Sequence, residues 1–293
     1  MDAPDLELRE LMPEPEEAWR RLLRFVGWNA RDRAAAARTS AALLKQAHRL
    51  VVDVYDHLAR VPETAAILGW EHHIDEKHLE ERRRFFTLWL ARTIGLDTSD
   101  EFAAYLFYAG KAHAGHGARH IHTPPDYVTA SIGLVQAAFA NTLAHEDLSA
   151  EVIGNAMAAW SKYLSVQLNQ MLLGYRAAQE LRNGALAVRC TVFGRLRPLL
   201  GTQEIEVLVA PGACIGDVAR KVFNYFPQAR AEALERVWRA EDRSDALWVE
   251  VVPAYVPRPG WRILHNGREV RYHGGFAAPV QAGDEVAVFP PGR

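Results

Sequence analysis

Between Gly110 and Pro125 the chain reads GKAHAGHGARHIHTPP, which gathers four of its twelve histidines, His113, His116, His120 and His122. A neutral imidazole can give one ring nitrogen to a metal or a haem iron while a hydrogen-bond acceptor holds the other. The spacings His-x-x-His and His-x-His would also suit a zinc or nickel site. No cysteine accompanies them, Asp126 is the nearby carboxylate, and a solvated loop is the plainer reading of His116, His120 and His122. His113 is different. It falls on a helix predicted from Glu101 to His116, where Phe102, Tyr105, Leu106 and Gly110 share its face by three-and-four spacing. An imidazole on an apolar face either ligates or packs in the core with its nitrogen on backbone, and spacing leaves both open.

The elements that would carry these residues change character part-way along the chain. From Glu16 to about Leu181 the apolar residues recur at three and four, which predicts a helical domain of about seven helices. Asp32 is expected to cap the long stretch through Val51 to Leu58, Thr98-Ser99-Asp100 the next helix, and Pro124-Pro125 to open the one through Phe139. A last helix, Ala150 to Glu180, aligns Ile153, Met157, Trp160, Leu164, Gln167 or Leu168, Met171 and Tyr175 on one seam that seeks another helix. Past Asn183-Gly184 the period becomes two in AVRCTVFGRL and EIEVLV, separated by an LLGTQ turn. GDVARKVFNYFP follows as an amphipathic helix. Short strands are then expected at 247–252, 262–265 and 285–289, with a tight turn at Asn266-Gly267. The charged ERVWRAEDRSDALW reads as an insertion or loop.

At 293 residues two domains are the default, and a formal charge of -2 gives no electrostatic footprint for nucleic acid or an anionic membrane. Cys190 and Cys214 lack the spacing of a disulfide framework or a zinc knuckle. No apolar run is long enough to span a bilayer, and the acidic, proline-bearing first residues are unlike a signal peptide. A cytoplasmic protein is expected.

GKAHAGHG resembles the proximal motif, Gly-x-x-His-x-x-x-Gly, of globins of the globin-coupled sensor and protoglobin type, with Pro124 or Pro125 and Tyr127 opening the next helix as in that family. LVVDVYDHLARVPE is similar to the family's first long helix and HLEERRRFFTLWL to its distal helix. The resemblance covers about residues 15–181 and implies a haem b globin that reversibly binds a diatomic gas: oxygen, with carbon monoxide or nitric oxide as further ligands. It places His113 as the iron ligand, with His116 as the alternative register, and Tyr55 as the distal hydroxyl that would donate to bound dioxygen. Phe85 and Trp89, with Phe86, become candidate pocket walls, and Arg82 to Arg84 either a partner face or solvated neighbours of the haem propionates. It further implies a homodimer through the last two helices as a four-helix bundle. Two departures are visible: Val54 stands where that family has an aromatic residue, and the segment from Gly117 to Pro124 is longer.

From Ala187 the blocks VRCTVFGRLRPLLGTQEIEVLVAPGACIGDVARKV, ILHNGREV and AGDEVAVFPP resemble the ubiquitin-like sulfur-carrier family, which includes the small subunit of molybdopterin synthase and thiamine-pathway carriers. That family activates a flexible Gly-Gly terminus. The sequence here ends PPGR, so the resemblance implies the fold with a partner-binding rather than a carrier role.

The expected organisation is thus two domains, an all-α globin fold followed by an α+β β-grasp domain. The divisions are a flexible segment at 1–14, a globin at 15–182, a linker at 183–186 and the β-grasp domain at 187–293. The expected function is gas or redox sensing, with an unidentified protein partner for the second domain and neither nucleic acid nor membrane. The competing reading is an accessory protein of molybdopterin or thiamine sulfur transfer whose helical half is a haem-free dimerisation scaffold. Nitric oxide dioxygenation or peroxidase chemistry ranks below both as a dedicated role, because no reductase or flavin motif is present.

Overall fold

A computed structural model describes residues 6–242 and 249–291. The chain divides into two compact units, 15–176 and 1–14 with 177–293. The first is helical, built from α1 (Pro15–Phe25), α2 (Ala30–Arg60), α3 (Pro62–Leu68), α4 (Glu76–Ile94), α5 (Asp100–His113), α6 (Pro125–Leu143) and α7 (Ala150–Leu181). Local chemistry sets the boundaries. Asn29, rather than Asp32, caps α2: its side chain accepts from Arg31 N and Asp32 N, and Asp32 reaches back to Asn29 N at 3.2 Å. Asp32 is therefore the third helical residue of a capping box, where its carboxylate also complements the helix dipole. Ser99 caps α5 through Phe102 N at 3.2 Å, and Pro125 opens α6.

Trp19, Phe102, Leu106, Phe139, Trp160 and Tyr163 are fully buried in the core of this unit. Each such side chain contributes about 1.5–3 kcal/mol by leaving water. Their polar atoms are satisfied: Trp160 Nε1 donates to Thr39 Oγ1 at 3.0 Å and Trp19 Nε1 to the Thr98 carbonyl at 3.2 Å. The α7 seam read from sequence supplies this core. Trp160, Leu164, Gln167 and Tyr175 are buried, and Ile153, Met157 and Met171 pack against the cluster, so the seam is satisfied within its own chain.

The second unit holds a five-stranded mixed sheet, ordered β2-β1-β7-β5-β6, from β1 (Leu186–Val192), β2 (Glu204–Val209), β5 (Arg262–His265), β6 (Arg268–Glu269) and β7 (Glu285–Phe289). β1 and β2 form the first hairpin, β7 runs parallel to β1, and β5 pairs antiparallel with β7. Between β1 and β2 lies a short helix, α8 (Leu196–Leu200), where a turn alone was expected. α9 (Ile215–Tyr225) buries Val218, Val222 and Phe223 in the core shared with the inner residues of the sheet, and α10 (Pro227–Ala233) follows. This arrangement of hairpin, helix and central parallel strand is the β-grasp. Asn266 and Gly267 both take left-handed backbone, φ 48° and 80°, as a tight hairpin turn requires.

Three sequence expectations change here. ERVWRAED is not a loop: β3 (Leu234–Asp242) pairs antiparallel with β4 (Val249–Pro257) in a register that runs from Leu234 to Asp242. Of the strand expected at 247–252, residues 247 and 248 lie outside the described residues. The N-terminal segment over 6–14 is held: Leu8 is buried and exchanges backbone hydrogen bonds with Tyr255 at 2.8 and 2.9 Å, and Met12 N donates to Asn224 Oδ1. Apolar Leu6, Leu8 and Leu11 give it a core contact that its proline content concealed. The expected linker at 183–186 is likewise tied, with Ala185 N on the Val209 carbonyl and Lys221 Nζ on that of Asn183 at 2.5 Å.

Candidate functional site

His113 owes its position to two glycines. A Cβ on Gly110 would stand 1.8 Å from the Met171 carbonyl oxygen, and one on Gly174 would stand 1.9 Å from that of Phe107, so α5 and α7 cross backbone to backbone. The last turn of α5 is thereby pinned. On that turn His113 Nδ1 lies 2.7 Å from the Ala109 carbonyl. A carbonyl only accepts, so the proton sits on Nδ1 and the lone pair on Nε2. Burial holds the imidazole below its ordinary pKa and keeps it neutral. Neutral, oriented and with Nε2 unbonded among the described residues, His113 has the form that an axial ligand requires.

The helix stops at His113, three residues before the expected end, because Gly115 turns into left-handed backbone at φ 93°. His116 therefore sits in the following turn. His120 takes φ 53° in the loop and is exposed. His122 contacts Tyr175, whose hydroxyl donates to the Thr123 carbonyl at 2.9 Å, so His122 Nε2 donates to the Tyr175 oxygen, also at 2.9 Å. Among the described residues no three histidine, cysteine or carboxylate side chains gather as a metal site.

On α2, Tyr55 is buried and meets the rings of Trp70 and Phe86 at 6.5 and 6.0 Å. Its hydroxyl donates to the Arg82 carbonyl at 3.0 Å, and burial pushes its pKa up to about 12, so it is a fixed neutral donor. Phe86 continues to Trp89 at 5.1 Å, and Trp89 Nε1 donates to Gln167 Oε1 at 2.8 Å, which also accepts from Thr93. Of the two expected α4 wall residues, Trp89 joins this ring chain, whereas Phe85 is 57% exposed. Helical geometry orders the three: Phe86, turned to Tyr55 of α2, and Phe85 stand about 100° apart, and Trp89 lies between them, partly buried. Leu88 and, on α5, Tyr108 are exposed apolar side chains like Phe85, and Tyr105 Oη reaches the Phe85 carbonyl at 3.5 Å. Tyr127 is half-buried in the first turn of α6. The structure thus joins Tyr55, Phe86 and Trp89 in one cluster, and leaves Phe85 and Tyr127 outside it.

Sequence reading missed Gly174, whose partner is distant in the chain, and Arg82, read there as one of three solvated arginines. Arg82 is half-buried, and its charge acts on both Tyr55 and His113. A haem fits this donor set: a preset imidazole on α5, exposed apolar surface on α4 and α5, and buried Arg83 Nε and Trp70 Nε1 without hydrogen-bond partners.

A family model for protoglobins matches residues 15–180, more than half of the chain. The chain belongs to the protoglobin family. The protoglobin region is similar to the globin domain of a Geobacter sulfurreducens globin-coupled sensor, with 20% identity over 54% of this chain and 97% of that one and a TM-score of 0.43. The remainder is similar to small archaeal modifier protein 3 of Haloferax volcanii, 29% identical over 99 residues, which are 34% of this chain and 88% of that protein. It is also similar to the crystal structure of H. volcanii small archaeal modifier protein 1, at 19% identity, covering 37% of this chain and all of that one, with a TM-score of 0.27. Membership of a globin family implies haem binding. Among the described residues no helix is long and apolar enough to cross a membrane.

Proposed function

We propose that this protoglobin binds haem b through His113 and reversibly binds a diatomic gas, oxygen first, as a gas or redox sensor. The carrying observation is His113 itself, with its Nδ1 proton on the Ala109 carbonyl and its turn locked by the Gly110–Gly174 crossing. His113 ends α5 on that turn, whereas His116 lies beyond the helix end. When bound, haem supplies an open iron position for the gas. Trp89 and Phe86 keep water from the distal side, with Phe85 closing over from its exposed position, and Tyr127 supports the proximal loop from α6. Tyr55 is the distal donor, and to serve a dioxygen its hydroxyl leaves the Arg82 carbonyl for the ligand.

We read residues 15–182 as the globin and 187–293 as a partner-binding or output module, joined by 183–186. In that module Pro290 and Pro291 lie against Gly194 and Gly260, at positions a Cβ would reach at 2.6 and 3.0 Å. Gly292 and Arg293 lie outside the described residues. Cys190 and Cys214 are free thiols, which suits a reducing cytoplasm. For the homodimer, the α7 seam is already used, so the pairing face is the exposed one that flanks it, where Gly154, Ala158 and Ser161 are exposed, as are Gly133 and Ala137 of α6. Gln136 Nε2 to Ser161 Oγ at 3.1 Å aligns the two helices there.

The optical spectrum of purified protein, ferric, dithionite-reduced and with carbon monoxide, tests this reading beside His113→Ala and His116→Ala. A haem band that shifts with carbon monoxide and is lost in His113→Ala supports it. No band after added hemin overturns it, and a C-terminal thiocarboxylate on the native protein would favour the sulfur-transfer reading.

A further inference from the structure

Residues 6–14 are held in the second unit much as a bound peptide is held, through main chain. Leu8 N donates to the Tyr255 carbonyl of β4 at 2.8 Å, and Tyr255 N returns a bond to the Leu8 carbonyl at 2.9 Å, which makes one antiparallel bridge. Further along, both main-chain groups of Met12 are taken by side chains. Its N–H donates to Asn224 Oδ1 of α9 at 2.9 Å, and its carbonyl accepts from Arg230 Nη1 of α10 at 2.5 Å. Asn224 and Arg230 are only 3% and 1% exposed. Arg230 Nε also lies 4.0 Å from Glu14 Oε1, so the segment brings this buried guanidinium both an acceptor and a carboxylate. Polar groups sunk in a core are costly without such partners, so the groove calls for an occupant.

The side chains add selectivity. Leu8 enters the core, and Leu6 and Leu11 pack against it. On either side of Leu8, Glu7 accepts from Arg239 and Arg9 donates to Glu241, two residues of β3 that share a face by the strand period of two. The groove therefore reads an acid, an apolar residue and a base in that order. Pro13, Glu14 and Pro15 join the segment to α1 exactly where the chain passes from one compact unit to the other.

We infer that the face built by α9, α10, β3 and β4 is a peptide-recognition groove in which residues 6–14 act as an internal ligand, and that it takes an extended segment of the same pattern from a protein partner. Groups that bind main chain are indifferent to which chain supplies it, and adding an extended segment to a strand edge is a general mode of peptide recognition. The internal segment competes at high effective concentration, so the groove is autoinhibited. The inference rests on the partner-binding reading of this unit, gives the chemistry of the partner, and does not depend on haem.

The test is fluorescence anisotropy of a labelled, end-blocked peptide of residues 6–14, titrated with the full-length chain as wild type and as Leu8→Asp, whose own segment is released. Leu8→Asp should bind it saturably, and the wild type about 10- to 100-fold more weakly. A peptide carrying Glu7→Arg and Arg9→Glu should bind Leu8→Asp poorly, and the added pair Arg239→Glu and Glu241→Arg in the chain should restore it. No binding by a Leu8→Asp chain that keeps its circular dichroism overturns the inference, as does equal binding by both chains. A wild-type dimer that Leu8→Asp splits on size exclusion assigns the groove to a second copy and overturns it as well. Should Leu8→Asp not fold, the chain with Glu7→Arg and Arg9→Glu, which keeps Leu8, decides by the same titration. The partner-binding reading falls separately, on a C-terminal thiocarboxylate.

Discussion

Replacing Gly110 with alanine sets two physical effects against each other. Inside a helix that change is worth about 1 kcal/mol of added stability, because glycine loses more backbone freedom on folding. At Gly110 the new methyl would stand 1.8 Å from the Met171 carbonyl oxygen, where 3.4 Å begins ordinary contact, so α5 and α7 must part by 3.4 - 1.8 = 1.6 Å. The obstacle is helix backbone, with no side-chain end to swing away. Overpacking of a tight core costs about 1–3 kcal/mol and this displacement lies at the upper end, leaving a net loss of about 2 kcal/mol after the helix gain. For a unit of this size that lowers the Tm by about 4–8 °C. Gly133 and Gly154, on α6 and α7, would meet nothing of their own chain within 4 Å, so alanine there lacks this clash and should not open the α5–α7 crossing or lower the Tm as Gly110→Ala does. Thermal denaturation followed by circular dichroism reads all three. A Gly110→Ala protein that melts at or above the wild type would refute the claim that the helices touch at that point, and with it the account of how His113 is held.

Both His78 and His113 have pKa values below the ordinary 6.5. Between their folded values and 6.5 the unfolded chain binds more protons, so stability should fall as the pH drops through 6.5; urea midpoints should show a shallower acid dependence in His113→Gln. Tyr55→Phe strips the buried Arg82 carbonyl of its donor and should cost about 1–2 kcal/mol in urea unfolding, while under the proposed function it speeds oxygen dissociation and leaves carbon monoxide affinity nearly unchanged. Leu8→Asp would bury a carboxylate beside Tyr255 and should release 6–14, seen as rapid tryptic cleavage after Arg9 that the wild type resists. Mass spectrometry of the fragments gives the answer.

The helical half was legible because its signals are local. Ser99 and Pro125 announce helix starts, and the Gly110-to-His113 interval is visible as three residues of text. Asn29 was passed over for Asp32 because both are good caps in isolation, and the reciprocal bond to Asn29 N decides between them. The function of Gly110 needed Gly174, sixty-four positions later (174 - 110). No periodicity connects such residues. Arg82 looked like its neighbours Arg83 and Arg84, since a run of like charges normally marks a solvated face; the face of α4 turned to Tyr55 makes it otherwise. The β3–β4 hairpin was hidden by its charge, with Arg236 on one face and Arg239 and Glu241 on the other breaking any apolar alternation.

The bond between Leu8 and Tyr255 also governs the order in which the protein can be made. A ribosome releases the N-terminal segment first and its partner strand near the end, so 6–14 must wait, with Leu8 in water, until the whole protoglobin and most of the second unit have emerged. The globin is continuous in the chain and can fold as soon as it appears. The second unit is discontinuous and closes last, across a loop whose entropy grows only slowly with length and is reduced further once the globin within it is compact. Refolding from denaturant should accordingly show a fast helical phase followed by a slower one reported by protection of the Leu8 and Tyr255 amides. A circular permutant that links the far end of the second unit directly to residue 6 would make that unit continuous and abolish the delay.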